Sequence, residues 1–188
     1  MQLEVIEAIS TRRTVFEFQD KAVESDKLEA ALSAGLLAQN HHLTQPWRFV
    51  ALGPETHRTV AEMYADDKLK AVAPEIQSAA RAKAVQKLLS KPAIVVVSYV
   101  LQENEVAQRE DFAATCCAIQ NIQLAAWDQG LGMQWSTNSL IRSPEVYSLL
   151  SIDLRREEMI AMLYFGYPAS IPSPRLRQGL HEVLRQTP

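Results

Sequence analysis

The sequence has little cysteine, no long apolar run and no surplus of positive charge. Cys116 and Cys117 are the only cysteines in 188 residues, and they are adjacent. Neighbouring cysteines rarely bridge to each other, and two make neither a disulfide framework nor a zinc site. Set in an alanine-rich stretch, they read as small buried residues of a helix, a usage that suits a reducing cytoplasm. No apolar run reaches the ~20 residues that span a bilayer. The longest, Ala93 to Leu101, has the length of a buried strand. The opening segment, with Glu4, Glu7, Arg12 and Arg13, lacks the apolar core of a secretory leader. A formal net charge of -3 argues against a broad nucleic-acid surface.

Chemical motifs are also missing. The chain has four histidines and no HExxH spacing, so a zinc enzyme is not indicated. Gly130-Leu131-Gly132 is neither GxGxxG nor a Walker loop, and it follows a helix rather than a strand, which argues against a Rossmann site. No nucleophile elbow, glycosidase-like carboxylate pair or triad pattern stands out. An enzyme made from this chain would therefore rely on a cofactor for its reacting groups.

What is present is an ordinary globular composition, 47% hydrophobic and 22% charged, with no repeat, low-complexity tract or dividing linker. Residues 1–188 are expected to form a single domain. Leu3 to Ser10 reads as a short helix with Val5, Ile6 and Ile9 on one face. Asp26 and Glu29 have the spacing of a capping box opening a second helix, on which Leu28, Ala31, Leu32, Gly35 and Leu36 repeat. Arg48 to Leu52 reads as a strand, Thr56 to Ala65 as a helix, and Asp66 to Ser90 as a charged, largely helical excursion from the core. Ala93 to Tyr99 is the strongest strand signal, apolar at nearly every position and so covered on both faces. Asp111 to Gln129 is a long core helix stopped at Gly130. Met133 to Trp135 is a short strand, Pro144 to Leu150 a short helix, and Met159 to Phe165 a further strand. Beyond Gly166 the prolines impose an extended tail with a few helical residues after it. Helices alternating with few strands point to a sheet covered on both faces.

Four segments could carry chemistry. Arg12, Arg13 and Thr14 offer forked guanidinium donors and a hydroxyl, a set suited to a dianionic phosphate. The loop from Asn40 to Trp47 gathers His41, His42, Thr44 and Gln45 before a fixing proline. Trp135, Ser136, Thr137 and Asn138 could lay backbone amides and small polar groups beside a planar ligand. Arg175 and Arg177 in the tail form a second cationic arm.

Together these segments resemble the nitroreductase family over nearly the whole chain. The resemblance rests on Arg12-Arg13-Thr14, on Gln45-Pro46-Trp47, and on Pro92 before a hydrophobic strand. It also rests on the helix with Asp111, Ala114, Gln120, Asn121, Leu124, Ala125 and Ala126 leading to Gly130-Leu131-Gly132, and on the stretch from Gly166 to Arg177. Its compact length is most similar to the small bacterial branch. The resemblance implies an α+β three-layer sandwich, with a central, mostly antiparallel sheet covered by helices. It implies an intertwined homodimer with FMN at the interface, NAD(P)H as electron donor and a small-molecule acceptor of nitroaromatic or quinone type. Neither nucleic acid nor membrane is an expected partner. Arg12, Arg13 and Thr14 would hold the phosphate and ribityl chain. His41 and Gln45 would reach the flavin across the interface. Trp135, Ser136, Thr137 and Asn138 would line the isoalloxazine, and Arg175 and Arg177 would complete the phosphate clamp. Two departures are visible: Phe16 stands where members often have a basic residue, and Ser136-Thr137-Asn138 replace glycines. Lys83 and Lys87 are candidates for a lysine near the phosphate. A flavin-binding module without turnover, or an enzyme of flavin fragmentation or reductive dehalogenation, would share these features.

Overall fold

The computed structural model describes residues 4–70, 73 and 76–187. The chain order is α1 (Val5–Thr11), α2 (Ser25–Gly35), β1 (Trp47–Ala51), α3 (Pro54–Leu69), α4 (Gln77–Leu89), β2 (Ala93–Val100), α5 (Glu105–Asp128), β3 (Gly132–Ser136), α6 (Pro144–Leu149), β4 (Glu157–Gly166) and α7 (Leu180–Val183). Short 3-10 turns cover His41–Leu43 and Ser139–Arg142. The sheet order is β1-β2-β4-β3, with every named pair antiparallel.

Period-two alternation divides the central strands between two cores. Ile94 and Val96 of β2 pack with α3, α6 and Leu88 of α4 on one face. Val95 and Val97 pack with Ala31 of α2 and with Ile119, Ile122 and Ala126 of α5 on the other. The three-layer α/β/α arrangement follows directly. On β4 a bulge breaks the alternation, since Val97 faces Ala161 while Ser98 faces Met159. Ile160 and Ala161 consequently both face the α5 side, with Met159 and Met162 on the other.

Helix α5 is the long axis of one layer, 24 residues or about 36 Å. Asn104 caps its start, its Oδ1 accepting from the Val106 and Ala107 amides at 2.9 and 3.0 Å. A Schellman motif closes it: Gly130, at φ 77°, donates to Trp127 O, and Leu131 donates to Ala126 O. The reversal puts β3 at the sheet edge. Beyond β3 the chain around Thr14 adds a parallel bridge to Met133, and Val15 N donates to Met133 O. Gly132 permits this approach, since a Cβ there would lie 2.5 Å from Val15 Cγ2.

Several local expectations need correction. The helix expected from Leu3 is described from Val5, Leu3 lying outside the described residues. Its Val5, Ile6 and Ile9 are 69%, 75% and 50% exposed, and Ala8 is the buried residue. The Asp26 capping box does not form, because α2 starts at Ser25 with Glu24 at the N-cap position. The Glu24 carboxylate instead accepts from Tyr167 Oη at 2.7 Å. Helix α5 begins six residues before Asp111, and β1 begins at Trp47. The segment 66–90 holds the end of α3 and all of α4, which pack on each other; residues 71, 72, 74 and 75 lie outside the described residues. Cys116 and Cys117 are half-buried rather than buried, and burial raises the Cys116 thiol pKa. Among the described residues no helix is long and apolar enough to cross a membrane.

Candidate functional site

The strand-like segment 12–16 runs parallel to β3, so its direction sets the direction of the site. Arg12 and Arg13 lie just past the end of α1, and Thr14 sits opposite Met133. Arg12 is half-buried, and desolvation together with the fields of Arg177 and Arg13 lowers its pKa. Three guanidiniums from opposite ends of the chain are therefore close enough to repel. Arg13 spends one nitrogen on Ser10 O and Arg12 O. Arg175 lies two residues from Arg177 on the exposed tail, which has no regular secondary structure there.

Among the described residues, two buried side-chain polar atoms have no hydrogen-bond partner: Arg12 Nε and Trp135 Nε1. Leaving such a donor unpaired costs about 1–3 kcal/mol. Both atoms belong to residues expected at the phosphate and ring ends of a flavin, and both can only donate. The cluster therefore fits a ligand rich in acceptor oxygens and ring nitrogens.

The remaining expected positions divide. Ser136 lies on β3 beside Tyr164, whose hydroxyl also accepts from Asn138 Nδ2 at 2.8 Å. Asn138 Oδ1 accepts from the Leu140 amide, capping the following turn, so its side chain is committed within the fold. Thr137 is exposed and lines a cavity with Phe112, Tyr147 and Met159.

His41 and Gln45 are not brought to this cluster within one chain. His41 Nδ1 pairs with Glu110 at 2.9 Å, and Thr44 Oγ1 donates to buried Asp111 at 2.5 Å. Both partners lie near the start of α5, whereas Trp127, near its end, donates to Thr11 Oγ1. The seventeen residues from Glu110 to Trp127 span about 26 Å along the helix. The loop is also strained: His42, Leu43 and Gln45 have φ of 54°, 53° and 46°. Such positions cost roughly 1–3 kcal/mol and cluster at functional sites. Asp111 helps hold this shape, accepting also from Gln102 Nε2 at 2.8 Å.

Sequence reasoning missed Lys91, which is 6% exposed and donates to Phe16 O at 2.6 Å. Its place directly before Pro92 is the only signal in the sequence. Of Lys83 and Lys87, both exposed on α4, Lys87 lines a small cavity with Lys91. No group of three or more histidine, cysteine or acidic residues among the described residues could hold a metal ion.

The Nitroreductase family model matches residues 9–167. YfhC of Bacillus subtilis strain 168, provisionally named a NAD(P)H nitroreductase, is 30% identical over 93% of this chain and 89% of its own length. YdjA of Escherichia coli strain K12, named likewise, is 26% identical over 88% and 89%. A crystal structure of a nitroreductase-like protein from Bacillus cereus superposes with a TM-score of 0.84 at 28% identity, covering 100% of this chain and 97% of that one. A protein from Desulfovibrio desulfuricans crystallised with FMN has a TM-score of 0.77 at 24% identity, covering 100% and 99%. The match spans every element that builds the arginine cluster except the tail, and the chain belongs to the nitroreductase family.

Proposed function

We propose that this protein is an FMN-dependent oxidoreductase that uses NAD(P)H and works as a homodimer. The observation carrying the reading is the convergence of Arg12, Arg13 and Arg177 around a buried guanidinium nitrogen with no partner. A dianionic phosphate would relieve the repulsion and accept the orphaned bond at once. From there segment 12–16 and β3 run side by side toward Trp135, which supplies a second unpaired donor and an apolar wall. Asn138 and Tyr164 fix the turn after β3, and the backbone amides near Ser136 to Asn138 would then meet the ring edge. When bound, FMN would supply hydride transfer through its N5 between NAD(P)H and an electron-poor acceptor, a nitroaromatic or quinone, in ping-pong order.

The homodimer accounts for two further observations. His41 and Gln45 stand a helix length from the arginines, and a second copy laid antiparallel along α5 brings each loop to the other's cluster. The same copy would cover Val5, Ile6 and Ile9 of α1 and Leu37, which is 83% exposed. The provisional names of YfhC and YdjA support the donor, and the FMN of the Desulfovibrio protein supports the cofactor.

The test is anaerobic mixing of FMN-loaded protein with NADH and with NADPH, following the yellow absorbance. Bleaching by at least one donor, restored by a nitroaromatic or quinone, is the expected result. Colour that persists with both donors would leave a flavin-binding module without turnover. Product analysis separates flavin fragmentation and reductive dehalogenation.

A further inference from the structure

Past the end of β3 opens a cavity of about 390 Å³. That volume falls within the range that takes a small-molecule ligand, roughly 300–1,000 Å³. Thr137 is part of its lining, with Phe112 of α5, Leu154 of the turn before β4, and Ile160 of β4.

The sheet register places the cavity. Ser136, the last residue of β3, pairs with Met162, so Ile160 lies two residues further on, on the side away from the arginines. At about 3.3 Å per extended residue, Thr137 stands roughly 13 Å past the Thr14–Met133 bridge. A phosphate at Arg12 and Arg13 and a ring beside Trp135 therefore leave this cavity next in line.

Two features of its rim have no role in the fold of one chain. Phe112 and Leu154 are large apolar side chains left 43% and 50% exposed. Arg142 is exposed beside them. Among the described residues its guanidinium makes no hydrogen bond or ion pair. The carboxylates around it are already bonded. Glu158, the one acid in the cavity lining, accepts from Tyr99 Oη at 2.9 Å. In the neighbouring cleft, which Arg142 also borders, Asp67 accepts from Ser139 Oγ and Lys70 Nζ, and Glu145 from Ser143 Oγ. The site is thus a largely apolar slot with one unpaired, forked cation at its mouth. A carboxylate matches that fork, and an aromatic ring matches the slot.

We propose that this cavity seats the electron acceptor, and that Arg142 selects acceptors that carry a carboxylate on an aromatic ring. The inference rests on the FMN reading above and names the acceptor class for that site. The ring lies between Phe112 and Leu154, with the carboxylate at Arg142 and the reducible group toward Thr137. For a nitro compound, each turnover delivers hydride originating from NAD(P)H and one solvent proton, and the nitro group becomes nitroso with loss of one water.

The experiment compares 4-nitrobenzoate with 4-nitrobenzamide, a neutral molecule of the same shape, as acceptors for FMN-loaded wild type, Arg142→Gln, Arg142→Lys and Leu154→Glu. The amide withdraws electrons from the ring more strongly, so a preference for the carboxylate cannot come from ease of reduction. Wild type is expected to show a kcat/KM about tenfold higher for the carboxylate, the lower end for a charged hydrogen bond. Arg142→Gln removes the preference, Arg142→Lys keeps part of it, and Leu154→Glu lowers it by adding a repelling charge to the rim. Calorimetric titration of the oxidised, FMN-loaded proteins with benzoate and with benzamide should give the same order without turnover. Equal use or equal binding of the two by wild type overturns the inference, as does a preference that survives Arg142→Gln. A rise in the KM for NADPH in Arg142→Gln, with the acceptor ratio unchanged, would assign Arg142 to the donor and overturn it too. Wild type that neither donor bleaches removes the functional reading, and the inference with it; wild type that is bleached but does not discriminate between the acceptors removes the inference alone.

Discussion

Replacing Arg12 with methionine separates what that residue does for the fold from what it does for a ligand. In the free protein Arg12 is partly desolvated, has an unpaired Nε and is repelled by Arg13 and Arg177. Removing its charge relieves that repulsion, so the melting temperature of the cofactor-free Arg12→Met protein should equal or exceed that of wild type. A hydrogen bond to a charged group is worth about 1.5–3 kcal/mol, so its FMN dissociation constant should rise by roughly 10- to 150-fold. Titration with FMN and thermal denaturation without it check the pair, and a destabilised free protein of unchanged affinity would contradict the phosphate clamp. Glu24 gives a pH prediction at the same scale. The Tyr167 hydroxyl, then its own backbone, hold its carboxyl at about 2, against 4.5. A depressed carboxylate contributes stability that is complete above the unfolded pKa and fades as pH falls through the folded one. The melting-temperature gap between wild type and Glu24→Gln should therefore be constant above pH 4.5, narrow below it and close near pH 2. A gap that does not vary with pH would mean that the carboxylate does not fasten α2 to the end of β4. The arginines were readable from the sequence because their pairing is a pattern. Lys91 was not, because burial of a lysine is decided by the strands and helices around it.

Among elements, the junction between segment 12–16 and β3 is the most exacting. A methyl on Gly132 would sit 2.5 Å from Val15 Cγ2 and 2.7 Å from its Cβ, on a fully buried residue without room to retreat. Overpacking of this kind costs about 1–3 kcal/mol. Gly132→Ala should lower the melting temperature and, by pushing Val15 outward, displace Arg12 and Arg13 and weaken FMN binding. Gly53→Ala is the control, since nothing lies within 4 Å of a Cβ there. If both variants bind FMN like wild type, the close strand approach does not position the clamp. The elements themselves were largely legible where one physical signal dominated. β2 was plain because its residues are apolar on both faces, and the end of α5 because Gly130 takes the left-handed conformation its Schellman motif requires. The start of α5 was hidden because its first turns are polar and exposed, leaving no apolar period to read. The α2 cap was misplaced because Glu24 is drawn to Tyr167, 143 residues away. Such a contact has no local signature.

At the scale of the whole molecule, the question is whether one chain can complete a site. The loop with His41 and Gln45 is tied to the start of α5 by Glu110 and Asp111, while Thr11, next to Arg12, is tied to Trp127 near its end. A rigid helix keeps these halves about 26 Å apart. The sequence showed both halves and not their separation, which only the packing of α5 fixes. α1 raises a related point: periodicity marks the apolar face of Val5, Ile6 and Ile9 without saying whether the same chain or another covers it. The proposed two-fold dimer, in which each patch would meet its counterpart, would resolve both points. Sedimentation should then give twice 21.1 kDa, and Ile6→Glu, which puts a carboxylate in the exposed α1 face, should yield monomer and lose FMN together. Mixing offers the sharper test. Arg12→Ala chains lack the phosphate half, and chains with His41→Ala and Gln45→Ala lack the loop half, so each homodimer is defective at both sites. If the two are unfolded and refolded together, random pairing makes half the dimers mixed, and each mixed dimer carries one intact and one doubly defective site. Activity should recover to roughly one quarter of wild type. A site contained in one chain allows no recovery, because every chain brings its own defect, and a mixture no better than its parents would therefore place both halves in the same subunit.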